Sequence, residues 1–262
     1  MPRPFSPRHH RENMNRIESA TEILSSPALT PSIPPSLSAR TVERIRHRGR
    51  ELTPHATLAP LHYEPGYAYP LVIWLHGALG DERQVRQVMP KLSLRNYVAI
   101  APRGTCAVRT ERISYCWRQS SDAVEQAESH VLDCIEIACR RFNIHPERIF
   151  LAGVGCGGTM ALRTAWDYPG RFAGVATFGG PLPSHDRPLR NVNALRRLPC
   201  FVASGRTSRD YPEADVCRDL RLLHAAGCTV ALRQYPCGDD LTTTMLADLN
   251  RWIMDIVSPS PA

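Results

Sequence analysis

The sequence predicts an α/β protein in which a doubly wound, mostly parallel sheet lies between two layers of helices. Two observations carry this prediction. Short runs that are apolar throughout alternate with longer segments of helical periodicity, and glycine-rich segments follow several of the apolar runs. Strands that alternate with helices imply right-handed crossovers and a covered parallel sheet. The length of 262 residues suits one large domain of this kind or two small ones.

Six apolar runs are candidate strands of the parallel sheet. Each is apolar on both faces, which is typical of strands covered by helices on both sides. An earlier stretch, 55–65, fits an antiparallel strand at the edge of the sheet. The predicted parallel strands are 69–77, 96–104, 148–154, 172–180, 199–206 and 228–236.

The clearest helix is Ser121–Phe142, because its apolar residues recur every three or four positions. Ser120 or Ser121 would cap its start, and Gly227 stands where the C-terminal cap of a later helix belongs. Sheets of this class bind ligands at the carboxyl ends of their strands, which is where the glycine-rich segments fall. The other predicted helices are Asp81–Met89, Thr159–Trp166, Glu213–Ala226 and Thr243–Val257.

Residues 1–50 differ in composition from the domain predicted at 51–258. They are rich in proline, arginine and serine, so we expect a disordered tail with at most a helical turn near Ile17–Leu24. The formal charge of the chain is +7, and residues 1–60 hold nine arginines against five glutamates, a net of +4, which leaves +3 for the rest. A charge concentrated in a tail argues against nucleic-acid binding by the domain, although the tail itself could dock on an acidic partner.

Nothing in the sequence predicts a membrane span, a secretion signal, a metal or a cofactor. No apolar run reaches eighteen residues, and the N-terminus lacks the apolar core of a signal peptide. The nine cysteines stand singly, without C-x-x-C spacing. We therefore expect a cytoplasmic protein whose cysteines are reduced and mostly buried as small apolar residues. The oligomeric state is left open.

Five segments, taken in order, carry a resemblance to a known family. They are WLHGALGDE, IAPRG, LAGVGCGGTMAL, ASGRTSRDYP and QYPCGDDLT. Their order and spacing resemble those of the α/β-hydrolase superfamily, and more narrowly the phospholipase/carboxylesterase group that includes acyl-protein thioesterases. The resemblance covers roughly residues 55–257. It implies the α/β-hydrolase fold, with a serine nucleophile on a tight turn between a strand and a helix, an acid after a later strand and a histidine before the last helix.

All three catalytic positions that the resemblance implies are substituted in this chain. The nucleophile position, third in G-x-S-x-G-G, is Gly155. The acid position in GRTSRDYP is Ser208, and the histidine position in GDD is Asp239. We therefore expect no active catalytic residue. Glycine at the nucleophile position also relieves the strain of the turn, where the backbone needs a positive φ.

Part of the machinery that the family would use remains. The loop His76–Gly80 matches the family's oxyanion-hole loop, which implies that Ala78, Leu79 and Cys156 supply backbone N–H groups. Such donors attract a carboxylate or carbonyl oxygen. Further candidate pocket residues are His76, for which a structural role is favoured, Trp117, which resembles a pocket aromatic but also fits a core, and Asp210 and Asp240.

Three functions follow from these residues. The first is a pseudohydrolase that retains a pocket for a small ester-like or carboxylate ligand, or serves as a scaffold. The second is an ester or thioester hydrolase with an atypical centre, either Cys156 or a water activated by a carboxylate. Centring the turn on Cys156 would put Val154 where a small residue is needed, and the last histidine, His224, lies inside a predicted helix. The third is a binding module that acts through its arginine-rich tail, by docking on nucleic acid or an acidic protein.

Overall fold

The computed structural model describes residues 53–109, 113–183 and 192–258. The predicted tail, including the helical turn near Ile17–Leu24, lies outside these residues. Nine strands are described: β1 His55–Leu58, β2 Tyr69–Leu75, β3 Val98–Pro102, β4 Cys106–Arg109, β5 Ile113–Cys116, β6 Ile144–Val154, β7 Gly174–Phe178, β8 Cys200–Gly205 and β9 Val230–Tyr235.

Six helices are described, five between these strands and one after β9, with short 3₁₀ turns at Glu82–Gln84 and Pro169–Arg171. The helix Glu213–Ala225 ends at Gly227, whose φ of 73° is the left-handed cap predicted for it. Ser120 is the residue before the helix Ser121–Arg141, but its side chain makes no capping hydrogen bond. The helices are α1 Val85–Leu92, α2 Ser121–Arg141, α3 Cys156–Asp167, α4 Val192–Leu195, α5 Glu213–Ala225 and α6 Thr243–Val257.

Seven strands form one sheet in the order β1-β3-β2-β6-β7-β8-β9. β1 pairs with β3 in antiparallel fashion, and every other pair in this sheet is parallel. The prediction of a mostly parallel sheet with an antiparallel edge strand is therefore confirmed. The carboxyl ends of β2, β6, β8 and β9 lie at the same edge, which is the edge where ligands bind in folds of this kind.

Side chains from β2 alternate between two apolar cores, one on each face of the sheet. Leu71 and Ile73 pack with α2 and α3, whereas Val72 and Trp74 pack with α1 and α6. Residues of a strand point to opposite faces in turn, so a strand that is buried throughout needs a helical layer on each side. This burial produces the three-layer architecture.

A second, two-stranded sheet was not predicted. β4 and β5 form an antiparallel hairpin beside the main sheet, in the segment that leads from β3 to Trp117. The backbone N–H of Tyr115 donates to the carbonyl of Gly80 (2.8 Å), which ties the hairpin to the loop after β2. The hairpin therefore borders the edge of the sheet where the candidate site lies.

Among the helices of the described segments, none has the length and apolar character needed to cross a bilayer.

Candidate functional site

The tight turn between β6 and α3 is centred on Gly155. Its φ of 51° and ψ of −121° reverse the chain so that α3 begins at Cys156, directly after the strand. The backbone N–H of Gly155 donates to the carbonyl of Phe178 (2.8 Å) at the end of β7, and its carbonyl accepts from Thr159 (3.0 Å) in α3. The left-handed conformation falls on position 155 and not on Cys156.

Gly153 and Gly157, two positions before and two after Gly155, have no room for a side chain. A Cβ on Gly153 would lie 2.5 Å from the carbonyl carbon of Gly157. A Cβ on Gly157 would overlap the carbonyl oxygen of His76, at the end of β2. The backbone of α3 is therefore in direct contact with the backbones of β6 and of His76 after β2. The two glycines stand at equal distances in sequence on either side of position 155.

Gly155 itself stands in open space. A Cβ at this position would meet no atom within 4 Å among the described residues. Its glycine is thus explained by the positive φ and not by crowding. A serine side chain fits sterically here, although it would carry the strain of the left-handed backbone.

The loop after β2 presents two backbone donors beside this turn. The N–H of Gly80 bonds the carbonyl of Gly77 (3.2 Å), and Leu79 has a φ of 59°, which is uncommon outside glycine. Gln84 anchors the loop by accepting from the N–H of Gly77 (3.3 Å). Within the described part of the chain, the N–H groups of Ala78 and Leu79 donate no hydrogen bond, and both residues are exposed.

His76 lies under this loop, fully buried, and both of its ring nitrogens are bonded to backbone. Nδ1 lies 2.8 Å from the carbonyl oxygen of Gly77, and Nε2 accepts from the N–H of Gly104 (2.9 Å). A carbonyl can only accept and an N–H can only donate, so the ring is the neutral Nδ1–H tautomer. Burial lowers the pKa of His76, in agreement with this neutral state. His76 thus offers no nitrogen to a ligand or a nucleophile.

Trp117 is a core residue that also supports the loop. It is buried, its ring lies 5.3 Å from that of His76, and its Nε1 donates to the His76 carbonyl (3.0 Å). Of the two roles open for it in the sequence, the packing favours the core.

The structure joins Ser208 and Asp239, which follow β8 and β9. The Ser208 hydroxyl donates to the Asp239 carboxylate, and the N–H groups of Arg209 and Asp210 (3.2 Å each) donate to the same carboxylate. The Ser208 hydroxyl in turn accepts from the N–H of Tyr211 (2.9 Å). These bonds, the Ser208 bond above all, lower the pKa of Asp239.

Backbone contact between the two loops brings these side chains together. A Cβ on Gly205 would overlap the carbonyl oxygens of Gly238 and Cys237. Thr207 bonds the Cys237 carbonyl with both its N–H (3.1 Å) and its hydroxyl (3.0 Å). The loops after β8 and β9 therefore form one unit.

Asp210 and Asp240 are exposed on this unit. Asp210 contributes its backbone N–H to Asp239, and the carbonyl of Asp240 lies 4.0 Å from the sulfur of Cys237. Within residues 53–109, 113–183 and 192–258, no three His, Cys, Asp or Glu side chains are placed to hold a metal ion.

Comparison with known proteins places this geometry in a family. Residues 65–254 match the phospholipase/carboxylesterase family of α/β hydrolases. The chain belongs to that family. A curated relative, "Putative esterase NocK" of Nocardia uniformis subsp. tsuyamanensis, is 30% identical over 155 residues, which is 54% of this chain and 43% of NocK. The chain thus spans less than half the length of that relative.

Solved structures agree on the α/β-hydrolase fold. A Bacillus cereus carboxylesterase matches with a TM-score of 0.64 at 15% identity, covering 82% of this chain and 99% of the carboxylesterase. Acyl-protein thioesterase 2 of Zea mays matches with a TM-score of 0.61 at 14% identity, covering 78% and 99%. SOBER1 of Arabidopsis thaliana matches with a TM-score of 0.59 at 18% identity, covering 73% and 100%. At these identities the likeness concerns the fold.

Cys156, the first residue of α3 in this α/β-hydrolase fold, is half-buried against the core between the sheet and α2. Burial raises the pKa of its thiol, and this outweighs the backbone N–H groups of Trp117, Gly157 and Cys156 itself, which act in the opposite direction. The thiol is therefore mostly protonated near neutral pH, which is unfavourable for a nucleophile.

Three residues that position this site belong to no motif recognisable in the sequence: Gln84, Tyr211 and Asp219. Gln84 holds Gly77 and also accepts from the Trp74 indole (2.8 Å). Tyr211 caps the Ser208 hydroxyl, and its own hydroxyl donates to Asp219 (3.0 Å). Asp219 is buried on α5 and accepts from the N–H of Leu182 (2.9 Å), after β7. Apart from the bond between Tyr211 and Ser208, which are three positions apart, these bonds join residues seven or more positions apart, so no local motif indicates them.

Glu82 also has a role that differs from the expected one. From the sequence alone, Asp81 and Glu82 could pair with nearby arginines or cap the predicted helix Asp81–Met89, and capping is the favoured role. Asp81 does cap, since its carboxylate accepts from the N–H of Arg83 (2.8 Å). Glu82 instead is buried and forms two hydrogen bonds with Arg103 (2.6 and 2.9 Å), which joins the loop after β2 to the end of β3.

Proposed function

We propose that this chain is a noncatalytic member of the phospholipase/carboxylesterase family that keeps a binding site for a carboxylate or ester-like oxygen. The observation that carries the proposal is the turn at Gly155. It has the positive φ and the flanking close contacts of a nucleophile turn, and the residue at its centre has no side chain. Hydrolysis through an acyl-enzyme needs an attacking atom at this place.

The contact between Ser208 and Asp239 supports the same conclusion. In a triad, a carboxylate on the first of these loops would orient a histidine on the second. Here the same two positions are still joined by a hydrogen bond, but the first loop carries the Ser208 hydroxyl and the second carries the Asp239 carboxylate. A carboxylate whose pKa is lowered is a weak base near neutral pH.

The atypical hydrolase is less well supported by the same geometry. The Cys156 thiol has a raised pKa, and the final segment of the domain, 227–258, contains no histidine to deprotonate it. A water activated by Asp239 would need a carboxylate that is free to take a proton. That carboxylate already accepts from Ser208, Arg209 and Asp210.

The N–H groups of Ala78 and Leu79 support the binding role. Both residues are exposed and their N–H groups are unbonded within the described segments, and the loop that carries them follows His76, whose carbonyl oxygen lies against Gly157 in the first turn of α3. Unbonded N–H groups together with a helix N-terminus favour an anionic or strongly polar oxygen. The ligand class we infer is therefore a carboxylate or the carbonyl of an ester.

The proposal is tested by activity and binding measured on the same purified protein. Hydrolysis of p-nitrophenyl acetate and of an acyl thioester should equal that of the heat-denatured protein, and a fluorophosphonate probe should leave the folded chain unlabelled. Hexanoate should shift the amide NMR signals of Ala78 and Leu79. Turnover that is lost in Cys156→Ala would overturn the noncatalytic role, whereas unshifted amides would overturn the binding role alone.

A further inference from the structure

We propose that Cys106 and Cys116 form a reversible disulfide across the β4–β5 hairpin when the protein is oxidised by hydrogen peroxide. The two residues are direct partners in the antiparallel ladder. Both are free thiols and both are half-buried. This modification site does not depend on whether the neighbouring turn binds a ligand.

The hydrogen-bond pattern of the hairpin fixes the spacing of the pair. Tyr115 donates its N–H to Gly80, outside the hairpin, so the N–H groups of its neighbours face β4. Cys106 and Cys116 are therefore a hydrogen-bonded pair of the ladder. Such pairs hold their Cα atoms about 5.5 Å apart, which lies within the range of about 4.4–6.8 Å that disulfides span.

The two side chains lie on the same face of the hairpin, because directly opposed residues of an antiparallel pair point the same way. The Cys106 thiol is close enough to raise the pKa of Cys116. The thiol of Cys156 is close enough to influence Cys116 electrostatically. Cys106 is nevertheless the partner that the strand register places opposite Cys116.

The chemistry is balanced by one equivalent of hydrogen peroxide. One thiol is oxidised to a sulfenic acid as the peroxide O–O bond breaks and water leaves. The sulfur of the second thiol then attacks the sulfenic sulfur, so that the S–S bond forms, the S–O bond breaks and a second water leaves. Two thiols lose two electrons in total, and the peroxide gains them.

Two features of the pair bear on its reactivity. Burial, and to a lesser extent the neighbouring Cys106 thiol, raises the pKa of the Cys116 thiol. Since the thiolate is the reactive form, the reaction should accelerate as the pH rises above neutral. In hydrogen-bonded pairs the Cβ atoms are the more widely spaced, and closing the bond requires the strands to shift. The disulfide should therefore be readily reduced again by dithiothreitol.

The position of the pair connects it to the candidate site. Tyr115 bonds Gly80 on one side of Cys116, and Trp117 bonds the carbonyl of His76 on the other (3.0 Å). A shift of the strands at Cys116 would therefore be passed to both ends of the loop that carries Ala78 and Leu79.

Peptide mapping of the full-length protein tests the proposal. The reduced protein is treated with hydrogen peroxide, its free thiols are blocked with N-ethylmaleimide, and it is digested with trypsin. Cleavage after arginine places Cys106 in residues 104–109 and Cys116 in residues 113–118. We expect these two peptides to be linked, several-fold above the untreated protein, and the link to be lost on reduction.

Variants and the unfolded chain provide the controls. Cys106→Ser and Cys116→Ser should each abolish the link, whereas Cys139→Ser, at an exposed helical position, should leave it unchanged. In urea, the unfolded chain should form a larger share of the Cys134–Cys139 disulfide relative to Cys106–Cys116, since its loop is shorter and short loops close at lower entropic cost. A Cys116–Cys156 link, an intermolecular dimer or two unlinked peptides in the folded wild-type protein would each overturn the proposal.

Discussion

At the scale of single residues, Gly155 and Gly157 are two positions apart at the tight turn between β6 and α3 and serve different purposes. Gly155 has a left-handed backbone in open space, whereas Gly157 has no room for a Cβ between α3 and the end of β2. The first glycine is a conformational requirement, and the second is a packing requirement.

This difference predicts unequal costs for the two alanine variants. Gly155→Ala should lower the free energy of unfolding by about 1–2 kcal/mol, the cost of a left-handed backbone for a residue with a Cβ. Gly157→Ala should cost about 3 kcal/mol, at the upper end of overpacking, although alanine is the better helix former. Urea denaturation of both variants measures which substitution lowers the free energy of unfolding more. A larger loss for Gly155→Ala would contradict the steric explanation.

Asp239 should make stability depend on pH at acidic values. Its pKa is lowered in the folded chain, first by the Ser208 hydrogen bond, so its contribution is present above the ordinary aspartate pKa of about 3.9 and is lost as the pH falls through the folded value. Asp239→Asn should flatten the loss of stability on acidification. Asp240→Asn, at the exposed neighbouring position, is the matched control. Equal flattening in both variants would contradict a specific role for the Ser208 bond.

At the scale of elements, α2 and α3 meet through two carboxyl groups. Glu128 on α2 is half-buried, and Asp167 at the end of α3 is close enough to act on it. Burial first, and then the influence of the Asp167 carboxyl, raise the pKa of Glu128 to about 8. The folded chain therefore binds a proton that the unfolded chain releases near the ordinary value of 4.5.

The sign of this effect is opposite to that of Asp239. The contribution of Glu128 is fully present below its ordinary pKa and is lost as the pH rises toward its folded value of about 8. Glu128→Gln keeps the neutral form, so it should be more stable than the wild type above about pH 8 and nearly equal to it at about pH 5. Chemical denaturation at both pH values measures this. Glu125→Gln, exposed on the same helix, should show no such difference.

The elements themselves were largely predictable from local patterns. The strands β2, β3, β7 and β8 were recognisable because each is buried on both faces, and α6 Thr243–Val257 has the bounds predicted for it. The hairpin β4–β5 was missed, because its four-residue strands show no clear alternation and it is held by a contact with Gly80. Helix α1 was expected to end at Met89 but continues through Pro90 to Leu92.

At the scale of the whole molecule, residues that are close in sequence were predictable from a local motif, and distant ones only from the family resemblance. The spacing of glycines around Gly155 predicted a turn that the backbone has. The bond between Ser208 and Asp239 joins residues 31 positions apart, and Tyr211 completes it from a third position. Such contacts depend on the order of β8 and β9 in the sheet, which no local motif encodes.

The proposed loss of catalysis is tested most directly by restoring the triad and assaying p-nitrophenyl acetate hydrolysis beside the wild type. The variant combines Gly155→Ser, Ser208→Asp and Asp239→His. Position 155 has room for a side chain, and positions 208 and 239 are already in hydrogen-bond contact. We expect esterase activity in the triple variant and only the background of denatured protein in the wild type. A folded triple variant that stays at background, or a wild type that turns over substrate, would contradict the proposal.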